Sequence, residues 1–200
     1  MNLDDLWGHR ALLSVTDHYR GRVLAKMPED LRTYQRLIEA TKPEVIVELG
    51  TFDGGSAMWF ADQLRTLTTT PPSVITVDIT RSDIPDDAVT RITGDLSYEA
   101  GRVESFVAGR RCMVVDDSAH TYKSTSDALR LYSGLVSEGC YFVVEDGIVE
   151  EKDVCPPQWY APGTVKRAID EFVAAHAEFK QHFYADYVLT TNHGGWLERV

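Results

Sequence analysis

Short β-rich apolar runs alternate along the chain with stretches whose apolar residues recur every three or four positions. The runs fall at 44–49, 74–78, 89–93, 112–115 and 140–144. Those that are apolar at three or more positions read as strands buried on both faces, as central parallel strands are. Helices are predicted between them over 56–67, 98–108 and 124–136, and in the last Ala128, Leu131, Tyr132 and Leu135 share a face. A further helix over 30–40 carries Leu31, Tyr34, Leu37 and Ile38 on one side. It stops ahead of Thr41-Lys42-Pro43, because a proline disfavours helical geometry in its predecessor. A Pro-, acid- and aromatic-rich loop over 147–162 precedes a helix over 164–176. Segments 187–191 and 196–200 flank Asn192-His193-Gly194-Gly195, a hairpin-like turn. The alternation predicts one α/β domain over 1–200: a doubly wound, mostly parallel Rossmann-like sheet with an antiparallel C-terminal strand. Residues 1–25 form a helical N-terminal segment, a candidate lid.

Charge narrows the partners. Thirty-one acidic residues against 20 Lys and Arg leave a net charge of −11, which argues against nucleic acid, since phosphate backbones require basic faces. No apolar run is long enough to span a membrane, and the first residues lack the basic and apolar regions of a signal peptide. Cys112, Cys140 and Cys155 are an odd set without a CxxC pair, and they read as reduced thiols of a cytoplasmic protein.

Candidate chemistry gathers at the ends of the predicted strands, where open parallel sheets bind ligands. Glu48-Leu49-Gly50-Thr51-Phe52-Asp53-Gly54-Gly55-Ser56 leaves the first strand and opens a helix. Its spacing is E-x-G-x-x-x-G-G-S, which fits the amino-acid end of S-adenosylmethionine (SAM) better than a pyrophosphate. Asp78 ends the second strand, where a carboxylate can accept both ribose hydroxyls, and Asp95 follows the third, toward the adenine. The fourth strand runs into Asp116-Asp117-Ser118-Ala119-His120, and the fifth into Glu145-Asp146-Gly147. Adjacent strands lie about 4.8 Å apart, so these acids converge, and a hard divalent cation such as Mg²⁺ would relieve their repulsion. His120, beside such a centre, is the candidate general base. Gly147 supplies the freedom for Glu145 and Asp146 to turn toward one ion. Of the aromatics, Trp159, Tyr160 and Trp196 are candidates to stack on a sugar, while Trp59 belongs to the core.

These motifs resemble a known family. Lys26-x-Pro28-x-Asp30-Leu31, Tyr34-Gln35-x-Leu37-Ile38, VIVELGTFDGGSA, DSAHTY, YFVVEDG and the ending VLTTN-x-GGWL are similar to the cephalosporin hydroxylase/rhamnosyl O-methyltransferase family, over about 26–200. The resemblance implies a class I SAM-dependent methyltransferase fold, with SAM and Mg²⁺ as cofactors. It implies metal ligands at Asp117, Glu145 and Asp146, with Asp116 an extra acid, and a base at His120. The candidate cofactor contacts are Lys26, Glu48, Gly50, Thr51, Gly54, Gly55, Ser56, Asp78, Asp95 and Asp117. The implied acceptor is a hydroxyl of a sugar or glycosylated natural product, a methylmannose polysaccharide among them, and the implied assembly is a homodimer or larger. A nicotinamide-dependent oxidoreductase lacks its G-x-G-x-x-G here. A non-catalytic SAM-binding member assisting an oxidase is the remaining alternative.

Overall fold

The computed structural model describes residues 3–182 and 190–200. Helix α1 (Leu3–Ser14) is followed by a two-stranded hairpin, β1 (His18–Tyr19) and β2 (Arg22–Val23), and then by α2 (Pro28–Thr41). The hairpin occupies the second half of the segment whose pattern reads as helical. Five parallel strands follow: β3 (Val45–Leu49), β4 (Val74–Asp78), β5 (Val89–Thr93), β6 (Cys112–Asp116) and β7 (Tyr141–Val144). Between them run α3 (Gly55–Leu67), α4 (Leu96–Val107) and α5 (Tyr122–Tyr132), and α6 (Val165–Ala175) precedes β8 (Phe179–His182) and β9 (Trp196–Arg199). The sheet order is β5-β4-β3-β6-β7-β9-β8, and β9 runs antiparallel to both neighbours. Strand β8, three of whose four residues are polar, has no apolar run to announce it. Residues 187–189 of the expected strand 187–191 lie outside the described residues, and Thr190 and Thr191 are irregular.

Helix boundaries follow local chemistry. Helix α4 starts at Leu96, two residues earlier than its pattern suggests, because the Asp95 side chain accepts from Ser97 N and caps it. Helix α2 ends where Lys42 turns left-handed (φ 49°) ahead of Pro43. The Glu150 carboxylate accepts from the backbone of Gly163, Thr164 and Lys166, so it caps α6 from a distant loop.

Alternation along the strands decides which face each side chain meets. Val45, Val47 and Leu49 of β3 join α4, α5 and α6 through Val103, Leu129 and Ile169. Ile46 joins α2 and α3 through Ile38, Phe60 and Leu64. Each fully buried Val, Leu or Phe is worth about 1.5–3 kcal/mol, so these two cores hold the strand register firmly. Trp59 and Trp196 both lie in the second core, Trp196 only 2% exposed, which removes it from the candidate sugar platforms. No described helix is long and apolar enough to cross a membrane. All three cysteines are buried and free.

Candidate active site at the carboxyl edge

In-register pairing brings Leu49, Asp116 and Val144 side by side, so the residues that follow them emerge together. A cleft of about 1380 Å³ opens there. Gly50, Thr51, Phe52, Ser56, Asp78, Asp95, Asp117, His120 and Asp146 line it, joined by Ser14, Val15, the hairpin residue Val23, and Leu24 and Ala25 after it. Trp159 is also on its wall. Lys26, Glu48, Gly54, Gly55 and Glu145 stand behind that wall.

The glycine turn is shaped by its neighbours. Gly50 has φ +95°, and a Cβ there would sit 2.0 Å from the Asp117 carbonyl oxygen, so no side chain fits where the β3 and β6 turns cross. Asp78 Oδ2 accepts from Thr51 N (2.8 Å) and Phe52 N (3.0 Å), and Oδ1 from Thr80 N (2.7 Å). Asp53 in the same turn accepts from Val23 N and Arg22, which ties the hairpin to the cleft. Glu48 is fully buried and accepts from Thr76 Oγ1 at 2.7 Å. Burial pushes its carboxyl up to about 7, against the pull of Lys26, Ser56 and Thr76.

The acidic half is built from four parts of the chain. Alternation turns Asp116 toward the α5 face, where it is 3% exposed with Oδ1 unpartnered among the described residues, and burial pushes it up to about 6. Asp117 therefore faces the cleft. It is also free of capping duty, since Thr121 Oγ1 caps α5 by accepting from Ser124 N. Asp117, His120 and Asp146 each offer a ligand atom within 4.8 Å of one another. His120 Nε2 stands 3.2 Å from Asp146 Oδ2 and 3.8 Å from Asp117 Oδ1. Burial works against an imidazolium there, but the Asp146, Asp117 and Asp116 carboxylates outweigh it and raise His120 above its ordinary value.

Glu145 points the other way, toward α2. Lys26 Nζ lies 2.7 Å from both of its oxygens and 2.8 Å from Asp117 Oδ2, and Tyr34 OH donates to Glu145 Oε1 at 2.5 Å. Burial and the Asp117 charge push the Glu145 carboxyl upward, and Lys26 opposes them. Burial alone would lower Lys26, but Asp117, Glu145 and Glu48 hold it above its usual value. The bend that separates Glu145 from Asp146 is not made by Gly147. Asp146 itself is left-handed (φ +58°), and Gly147 is required because a Cβ would lie 2.2 Å from the His193 carbonyl oxygen.

A supporting chain fixes Asp146 from behind. Its amide faces Asn192 Oδ1 at 3.4 Å, and Asn192 N donates to Thr190 Oγ1. Thr190 and Thr191 both donate to the buried Asp30 carboxylate at the start of α2. Burial pushes Asp30 up to about 6, against these donors. Asp30, Tyr34 and Asn192 escape motif reading as functional residues. The available signal is a carboxylate set in an otherwise apolar helix stripe, four residues before Tyr34 and seven before Leu37.

A family model described as rhamnosyl O-methyltransferase/CmcI matches residues 12–200. The rhamnosyl O-methyltransferase of Mycobacterium tuberculosis (strain ATCC 25618 / H37Rv) is 27% identical over 179 residues, covering 83% of this chain and 71% of that protein. A solved structure of CmcI, described as its D160 form with Mg and SAM, is 26% identical with a TM-score of 0.67, over 93% of this chain and 77% of that one. MycE methyltransferase in complex with Mg and SAH shares the fold at 16% identity and a TM-score of 0.56, over 84% and 48% of the two chains.

Proposed function

The chain belongs to the rhamnosyl O-methyltransferase/CmcI family, and from that premise we propose that it is a SAM-dependent, Mg²⁺-assisted O-methyltransferase whose acceptor is a hydroxyl of a sugar or glycosylated natural product. One observation carries the reading: the Asp117–His120–Asp146 cluster and the glycine turn with Asp78 open on a single cleft.

The residues fit both cofactors. Gly50 lines the cleft with bare backbone, which a ligand can approach closely. Asp78 spends three of its four lone-pair positions on amides and lines the cleft, which leaves one position to accept from a ribose hydroxyl. Asp95 lies one strand further along, toward the base. Asp117 and Asp146 present hard carboxylate oxygens to the cleft, the kind Mg²⁺ takes, while Glu145 stands behind them on Lys26 and Tyr34, and no cysteine lines the cleft. When bound, the two cofactors supply an electrophilic methyl group and a positive charge that acidifies a nearby hydroxyl.

The chain's own residues do the rest. The wall formed by Trp159, Ser14 and Val15 orients the acceptor and narrows the access of water. His120 would take the hydroxyl proton as the methyl group passes from the cofactor's sulfonium to that oxygen, leaving a neutral thioether and an imidazolium. Asp146 and Asp117 flank that imidazolium and stabilise it. The test is methyl transfer from labelled SAM to a panel of mono- and oligosaccharides, rhamnosides and methylmannose oligosaccharides included, with and without chelator. Label in a sugar product only when Mg²⁺ is present supports the reading. Binding of SAM without transfer to any hydroxyl acceptor overturns it.

A further inference from the structure

Lys26 has no part in the chemistry above, and its placement is unusual. It sits in the link between the hairpin and α2, next to Met27, which is fully buried, and after Ala25, which is left-handed (φ +51°). Its side chain is only 1% exposed and does not line the cleft, so it is not placed to touch a bound cofactor. Instead its ammonium bridges Asp117, after β6, and Glu145, after β7. A buried ammonium is costly unless paired, and so is the buried Glu145 carboxylate set beside the cleft-facing Asp117 without a cation. The ammonium spans both strand ends, the task a divalent ion performs among hard oxygen ligands.

We propose that Lys26 is a resident counter-cation of the acidic centre, which holds Asp117 and Glu145 in place before a divalent ion arrives and opposes the binding of that ion by its charge. The inference rests on the metal reading given above. It makes Lys26 a positioning residue with two consequences: the centre keeps its shape without metal, and its affinity for metal is lower than its acidic residues alone would set.

The test is calorimetric titration of MgCl₂ into chelator-stripped wild type, Lys26→Met and Lys26→Arg, with thermal unfolding of each in EDTA and in saturating Mg²⁺. Removing one positive charge a few ångströms from a divalent ion should tighten Mg²⁺ binding by about tenfold or more in Lys26→Met. Lys26→Arg keeps the charge and should stay within about threefold of wild type. In EDTA, Lys26→Met should melt below wild type, and Mg²⁺ should raise its Tm by more than it raises that of wild type. If Lys26→Met fails to fold in EDTA, Mg²⁺ should restore its near-ultraviolet circular dichroism; no restoration overturns the proposal. A Lys26→Met affinity equal to or weaker than wild type also overturns it, as does equal tightening in Lys26→Arg. Wild type that takes up no Mg²⁺ overturns the metal reading itself, whereas wild type that binds Mg²⁺ alongside a Lys26→Met no tighter than it overturns the counter-cation alone.

Discussion

On the glycine-turn side of the cleft, Asp78 is held by backbone amides of the adjacent turn and of its own loop, Thr51, Phe52 and Thr80. On the acidic side, Asp117 and Glu145 are held by side chains from far along the chain, Lys26 from the link before α2 and Tyr34 from within it. Asp146 depends in turn on Asn192, Thr190 and Asp30. Backbone amides are present whatever the sequence, so the first half needs only a short local motif. The second half is a set of buried charges whose cost is offset only if every distant partner arrives. The first half should therefore fail one function at a time under mutation, and the second should fail as a unit.

The largest expected break is at the acidic centre. Asp146→Ala, or EDTA on the wild type, should abolish methyl transfer while calorimetry shows SAH affinity little changed. Mg²⁺ should rescue the chelated wild type and fail to rescue the variant at ordinary concentrations. Full turnover in chelator would reduce this half to a structural ion network.

His120→Ala comes next, with kcat lowered about 10²–10⁴-fold. Its residual rate should climb with pH as hydroxide replaces the lost base, while SAM binding holds. Wild-type turnover at neutral pH in this variant would place His120 outside the reaction.

Asp78→Ala probes the opposite half and should cost cofactor affinity about 1.5–3 kcal/mol, with the acceptor KM unmoved. Equal losses of cofactor and acceptor affinity would erase the distinction between the halves.

The smallest effect is the most specific to long-range support. The Asp30 carboxyl rises from 3.8 to about 6 on folding, so the folded state favours its protonated form. Its contribution to stability is complete below about pH 4 and is lost as pH rises through about 6. Asp30→Asn should flatten that decline by about 2 kcal/mol, read from urea unfolding in chelator across pH 4–7. An unchanged profile would show that the support from α2 is not electrostatic.

The same contrast accounts for what could be read from the residues alone. Strand 74–78 matches β4 at both ends, because a doubly covered parallel strand must be apolar on both faces, and 89–93 matches β5, an edge strand with only Ile92 buried, through its β-branched residues. The glycine turn, Asp78 and Asp95 are legible for the same local reason. The hairpin at 18–23 is not, since two-residue strands carry no period. Strand β8 is not either, because at the sheet edge it needs few apolar residues.

Sequence by itself determined the parallel sheet, the edge at which ligands collect, and the identities of the acids gathered there. Only tertiary structure decided their roles. Strand alternation turned Asp116 into the α5 face and left Asp117 on the cleft. The left-handed turn at Asp146, and not the glycine after it, separated that carboxylate from Glu145. Lys26, 91 residues from Asp117 and 119 from Glu145, joined the two strand ends. Hydrophobic period and turn chemistry act over a few residues and leave their trace in the order of the chain, whereas charge pairing is settled by distance in space, which exists only once the chain has folded.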